Sequence, residues 1–263
     1  VFARLPWLRA ALWKARRADD TAARNGALLR GDVDALDAKV LEDGVWYATA
    51  LTLNRDAGLY LDTRNLRRWL RDNAIGRTVL NTFAYTGSLG VAAMAAPARR
   101  VVQLDRNGRF LDVARRSCAL NGWPVARGAL VAADFFAATA RMRREGALFD
   151  IVVVDPPFFS ATAAGTVDLV GDASRCLDKT RSLVADGGCL VAVNNALYLS
   201  GAAWRAALDD LGDGYVNFER AIDVPADCGG GATGAWPADP APFNHPTKIA
   251  ILRVRRKDGR RAR

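Results

Sequence analysis

From residue 78 onward the chain alternates short apolar, β-prone runs with helix-prone stretches, and that alternation admits few architectures. Residues 78–83 (TVLNTF), 100–105 (RVVQLD), 128–134 (GALVAAD), 149–155 and 188–194 (GCLVAVN) read as strands. Residues 87–96, 108–120, 137–145 and 168–185 read as the helices between them, with one more helix at 202–211. Five β–α units require a parallel sheet with right-handed crossovers and helices on both faces. Two last strands are expected at 215–224 and 248–254, joined by a Gly-, Ala- and Pro-rich loop at 225–246 that holds Gly229, Gly230 and Gly231. A loop in place of a helix there makes this pair a hairpin. The expected fold class is therefore α/β, a mostly parallel seven-stranded sheet with an antiparallel last strand.

Upstream, VWYATAL (45–51) and AGLYLD (57–62) flank an Asn-Arg-Asp turn and read as a small β extension. Residues 1–30 are helix-prone and carry Trp7 and Trp13. The expected organisation is a basic helical arm (1–38), a β-hairpin extension with a connecting helix (39–74), the main domain (75–257) and a basic tail (258–263). Nowhere does an apolar run approach the ~20 residues of a membrane span, so no membrane partner is expected. Residue 1 is Val rather than Met, as in a fragment or a trimmed chain, and nothing at the start resembles a signal peptide.

Charge is concentrated at the two ends. Residues 1–30 hold seven Arg and Lys against Asp19 and Asp20, and residues 248–263 hold eight against Asp258, within a net charge of +9. Such ends are either solvated tails or arms that meet a polyanion such as RNA. Cys118, Cys176, Cys189 and Cys228 are too far apart for a metal knuckle, and His245 is the only histidine. A zinc site and a histidine-based triad are thereby disfavoured, no metal is expected, and buried free thiols in a reducing cytoplasm are the simple expectation.

The strand ends carry the chemistry. FDIVVVDPPFF (149–159) is a buried-strand pattern stopped by two prolines, which hold Asp155 at the carboxyl end of the sheet, where ligands bind in open α/β folds. Phe158 adds a flat apolar face suited to a planar nitrogenous ring. NTFAYTGSLG (81–90) is a strand–turn–helix junction with glycines at 87 and 90, and it lacks the Gly-x-Gly-x-x-Gly that lets a pyrophosphate approach. Asp105 ends the next strand, where a carboxylate can accept both ribose hydroxyls, and Asp134 ends the third at the height of an adenine amino group. Each acid alone also fits a simple helix cap.

Together, GLYLDTRNLRRWL (58–70), VLNTFAYTGSLGVAA (79–93), QLDRNGRFLDVARRSCALNG (103–122) and FDIVVVDPPFFS (149–160) resemble the class I S-adenosylmethionine-dependent methyltransferases, in the branch of the bacterial large-subunit rRNA methyltransferases of the cytosine-C5 and guanine-N7 types. The resemblance implies a Rossmann-like fold with S-adenosylmethionine (SAM) as cofactor. It further implies that Phe83, Tyr85, Thr86 and Gly87 surround the methionine part, that Asp105 and Arg106 meet the ribose, that Asp134 and Phe135 meet the adenine, and that Asp155 marks the reaction centre. Tyr60, Asp62 and Arg64, from the Leu-Asp-x-Arg element, are expected to wall the cofactor pocket.

One departure from that branch bears on the substrate. Methylation at cytosine C5 needs a cysteine thiolate beside the cofactor, placed in the cytosine type just after the fifth strand. Here that position reads VAVNNALYLSG, without cysteine; Cys189 lies inside the strand and Cys228 in the glycine loop. Nitrogen methylation needs alignment and acceptors only. The expected machinery is then Asp155 and the Pro156 carbonyl accepting from a base N–H, Phe158 stacking on the ring and Asn194 fixing an edge, with rRNA guanine as the favoured substrate, splayed out of its stack. Arg67, Arg68 and Arg71 are either phosphate contacts or a solvated helix face. Alternatives are a cytosine-C5 enzyme, a methyltransferase of small molecules or proteins, and a non-catalytic RNA-binding protein on the same fold.

Overall fold

A computed structural model describes residues 3–262 except 16, 37, 57, 212–213 and 229–246. Gly229, Gly230, Gly231 and His245, singled out above, lie outside the described residues. Near the N-terminus, β1 (Ala11–Trp13) and β2 (Ala27–Arg30) form a two-stranded antiparallel sheet with α1 (Thr21–Asn25) between them. This corrects the helical arm expected over residues 1–30. Asp20 caps the short helix through the Ala23 amide, and Gly26, at φ 123, turns the chain out of it. Trp7 and Trp13 are both exposed.

The β extension also differs in its strands. It pairs β3 (Lys39–Glu42) with β4 (Val45–Ala48) around Asp43-Gly44, both at positive φ, the mirror-image turn whose twist suits a hairpin. Residues 61–63 form a 3₁₀ turn instead of a strand, leading into α2 (Arg64–Asn73).

The main sheet is built from β5 (Thr78–Thr82), β6 (Arg100–Asp105), β7 (Leu130–Ala132), β8 (Phe149–Val154), β11 (Val184–Asn194), β12 (Val216–Ile222) and β13 (Lys248–Val254), the last three following the small hairpin of β9 (Phe159–Thr162) and β10 (Gly165–Asp168). Helices α3 (Ser88–Ala95), α4 (Gly108–Leu120), α5 (Phe135–Arg144), α6 (Arg175–Arg181) and α7 (Gly201–Asp209) connect it. The order is β12-β13-β11-β8-β5-β6-β7, with β13 antiparallel to both of its neighbours and the other pairings parallel. This is the expected seven-stranded sheet. The helix expected over 168–185 is shorter, because residues 169–174 form turns after the β9–β10 hairpin and β11 already begins at Val184.

Alternation along the strands sorts the core into two layers. Leu80, Val102, Val152, Val154, Leu190 and Leu252 pack with Phe135, Leu177 and Trp204 on one face. Val79, Ile151, Val153, Val191 and Ile251 pack with Leu66, Leu70, Leu89 and Ala92 on the other. The β3–β4 hairpin docks on α4, where Ser117 Oγ accepts from the Ala48 amide at 2.9 Å and Asn121 Oδ1 from the Trp46 amide at 3.0 Å. Among the described residues no helix is long and apolar enough to cross a membrane.

Candidate active site

Parallel strands β5, β6 and β8 all end on one edge of the sheet, and the chain turns there through residues with little conformational choice. Phe83 and Tyr85 both adopt positive φ, 52° and 51°, a cost for bulky residues that a sheet edge accepts when the turn must present its groups in one way. The turn is fastened to β6, with the Tyr85 amide donating to Asp105 Oδ2 at 2.8 Å and the Ala84 amide to the Leu104 carbonyl at 2.9 Å.

Glycine is required at the next two landmarks. Gly87 has φ 79°, and a Cβ there would stand 2.4 Å from Ala114 Cβ and 2.6 Å from Gln103 Oε1; at Gly90 it would stand 2.4 Å from Gln103 Cδ. The two glycines let α3 lie directly against the buried Gln103. No side chain caps α3, whereas Asn107, Asp134 and Ser200 cap α4, α5 and α7. Its first-turn N–H groups therefore keep their donor capacity at the positive end of the helix dipole.

Asp105 is half-buried and accepts a second hydrogen bond through Oδ1, from the Asn107 amide at 2.8 Å. Desolvation raises its pKa, against these two backbone donors and the nearby Arg106 guanidinium. Arg106 itself is exposed. Asp134 caps α5, accepting from the Phe136 and Ala137 amides at 2.9 and 3.1 Å, and both bonds end on Oδ1. The ring of Phe83 stacks on Phe135 with centroids 4.4 Å apart, closing the crevice floor between β5 and α5.

A second wall comes from the segment before α2. Tyr60 lies 5.6 Å from Tyr85, which meets Phe110 edge-on at 4.7 Å and donates from its hydroxyl to Asn54 Oδ1 at 3.0 Å. Burial pushes both tyrosine hydroxyls up, Tyr85 to about 12. Lys14, from the end of β1, donates to the Asn54 and Asp56 carbonyls at 2.7 Å each and so anchors the turn beneath these rings. The Thr86 hydroxyl donates to the Gly58 carbonyl and joins the two walls.

Asp155 stands at the end of β8. Burial raises its pKa to about 7, with a further push from the Asp62 carboxylate. Pro156 is buried, and Phe158 and Phe159 are about half exposed beside it. Thus a carboxyl of raised proton affinity and an accessible aromatic face adjoin one crevice.

Two expected site residues are placed otherwise. Asn194, at the end of β11, is fully buried; its amide nitrogen donates to the Leu169 carbonyl at 3.3 Å and its oxygen accepts from the Ala196 amide at 2.9 Å. With both groups spent on the backbone, it does not face the crevice. Its neighbour Asn195 is half-buried and points its amide at the Pro156 carbonyl, 3.5 Å away. Arg64 makes a two-pronged ion pair with Asp227 at 3.0 and 3.1 Å and approaches Glu42 at 3.5 Å, so its charge is engaged by these two carboxylates.

The α2 arginines all reach back to the β3–β4 hairpin. Arg67 is 1% exposed and grips Glu42 at 2.6 and 2.7 Å while donating to the Tyr60 carbonyl and the Thr63 hydroxyl. Arg68 pairs with the Asp43 carboxylate, and Arg71 donates to the Asp43 carbonyl. Two of the C-terminal cations are also paired: Arg253 binds Glu219 and Arg256 binds Asp258. Because β13 runs antiparallel, residues 255–262 leave the sheet at the edge opposite Asp155.

Comparison with known proteins adds the lineage. A family model described as "S-adenosylmethionine-dependent methyltransferase" matches residues 14–203. The "Ribosomal RNA large subunit methyltransferase K" of Neisseria meningitidis is 35% identical over 161 residues, which cover 60% of this chain and 46% of that protein. The "Ribosomal RNA large subunit methyltransferase I" of Erwinia tasmaniensis is 34% identical over 144 residues, 55% of this chain and 36% of that one. The chain thus spans less than half the length of these relatives. A solved SAM-dependent methyltransferase from Agrobacterium tumefaciens superposes with a TM-score of 0.70 at 20% identity, covering 96% of this chain and 78% of its own. At that identity the likeness is one of fold.

Proposed function

Because the chain belongs to the S-adenosylmethionine-dependent methyltransferase family, we propose that it methylates a nitrogen of a nucleobase in ribosomal RNA, with guanine the favoured base. The crevice residues fit the cofactor. An uncapped α3 start offers N–H groups to a carboxylate, Asp105 offers an acceptor, and Phe83, Tyr85 and Phe135 supply apolar walls. When bound, SAM supplies an electrophilic methyl carbon on a sulfonium.

The observation that carries the nitrogen reading is the state of the thiols. Cys118, Cys176 and Cys189 are buried, with their pKa values raised by desolvation, Cys176 to about 12. Cys228 is half-buried, and its thiol is also held up, by desolvation and then by Asp227. None is activated as the nucleophile that C5 chemistry needs. Asp155 and the Pro156 carbonyl instead serve as acceptors that orient a base N–H, Asn195 steadies that carbonyl, and Phe158 stacks on the ring. Where the methylated nitrogen bears a hydrogen, as a ring N–H or an exocyclic amine does, ionised Asp155 can hold the proton it gives up. The rRNA substrate is supported by the relatives, ribosomal RNA large subunit methyltransferases by name, and by Phe158, exposed beside the acceptors.

Transfer of tritiated methyl from SAM to total RNA, protein extract and a metabolite pool, run in parallel with Asp155→Ala, tests this reading. Label in RNA that the variant loses is expected; label confined to protein or metabolites would overturn the RNA substrate.

A further inference from the structure

Three contacts converge on the start of α2 from the β12–β13 connection. Asp62 Oδ2 accepts from the Thr247 hydroxyl at 2.6 Å, Arg64 binds Asp227, and Asn65 Nδ2 donates to the Asp223 carbonyl at 2.9 Å. The two described ends of that connection are thus fastened to one four-residue stretch of the site wall. Thr247 is 4% exposed, and the next residue, Lys248, is fully buried with its ammonium donating to the Ala196 carbonyl at 3.0 Å. Lys248 also pairs with Asn194 in the β11–β13 ladder. A buried ammonium is costly, and its position here joins the first residue of β13 to the turn that carries Asn195.

We propose that Thr247 is a positioning residue of the methyl-transfer site, holding the Asp62 carboxylate toward Asp155 and the cofactor, with Lys248 fixing the place of Thr247 by its bond to the Ala196 carbonyl. The proposal rests on the reading of the chain as a SAM-dependent methyltransferase and on Asp62 walling the cofactor pocket, as the resemblance implies. A short hydroxyl–carboxylate bond fixes both the direction and the charge of the acceptor. Asp62 sits on a 3₁₀ turn without a ladder of its own, so a tether from another element sets its orientation. Thr247 is poised to do so because strand pairing and the Lys248 bond determine where β13 begins.

Binding of S-adenosylhomocysteine, followed by calorimetry together with the thermal unfolding midpoint, decides the matter. Thr247→Val keeps the shape and removes the donor; it is expected to weaken binding about tenfold with little change in the midpoint. Thr247→Ser restores the donor and is expected to recover most of the affinity. Lys248→Met is expected to weaken binding in the same direction, and Lys248→Arg less so. Wild-type affinity in Thr247→Val, or a loss that Thr247→Ser does not rescue, overturns the proposal. Wild-type protein that binds the product but methylates no RNA overturns the substrate reading alone, because the binding comparison still decides the role of Thr247.

Discussion

The amide of Tyr85 and the carboxylate of Asp105 are joined at 2.8 Å across two neighbouring strand ends. One bond therefore holds both the positive-φ turn after β5 and the acid that the proposed function assigns to the cofactor. Replacing Asp105 with Ala orphans the Tyr85 and Asn107 amides as well as deleting the acceptor. The expected outcome is a loss of about 1–3 kcal/mol in stability by denaturant unfolding, and S-adenosylhomocysteine affinity lowered at least about tenfold by calorimetry.

Asp155 gives the reaction a pH signature. Its pKa of about 7 is raised by burial first and by Asp62 second. If the ionised form accepts the proton, the rate rises with pH and levels off above about 7; Asp62→Asn removes a like charge and shifts the midpoint downward. Stability runs the other way: the folded state holds this proton more tightly than the unfolded chain, so raising the pH from about 4 to about 7 removes stability, with no further loss from this group above that window. Methyl-transfer rates and unfolding midpoints across pH 5 to 9, in wild type and Asp62→Asn, check both trends, and an unmoved midpoint contradicts the coupling.

Gly87→Ala combines strain at φ 79° with contacts of 2.4 and 2.6 Å to Ala114 and Gln103. A destabilisation of about 1–3 kcal/mol is expected, with weaker cofactor binding because α3 must shift. Urea unfolding alongside product binding measures both effects. Truncating Gln103 to Ala in the same chain should return part of the loss.

Arg67 is buried against Glu42 and supports the Tyr60 carbonyl. Arg67→Met is expected to cost about 3–5 kcal/mol, since it leaves the largely buried Glu42 carboxylate without its main partner. The double variant with Glu42→Gln should be less damaged than the sum of the two singles. Additive losses would mean that the pair is not coupled.

Cys228→Ser separates the two chemistries. Nitrogen methylation tolerates it within about threefold, whereas a C5 mechanism through this thiol loses at least about a thousandfold. Single-turnover methylation of RNA reads the difference directly.

Most of the main sheet was legible because its strands are buried on both faces and read as apolar runs ending in acids or asparagine. The bounds of α4 and β13 follow directly from their patterns. The N-terminal region was not, because the helix propensity of residues 1–30 is a local preference that the β1–β2 pairing overrides. The Asp43-Gly44 turn did carry a signal, a mirror-image hairpin dipeptide, which the Asn-Arg-Asp cluster further on obscured. At the site, spacing identified which acids end strands, whereas the burial of Asn194 and the capture of Arg64 by Asp227 depend on long-range partners that no local pattern announces.

The insertion of β13 between β11 and β12 sets an order on synthesis. A ribosome that has released only residues up to 247 has already made every β–α unit, yet the edge of β11 is still bare and β12 has no neighbour to pair with. Seven further residues fill that slot, bring Lys248 under the Ala196 carbonyl and seat Thr247 on Asp62. A nascent chain can therefore form most of its sheet well before Thr247 takes hold of Asp62.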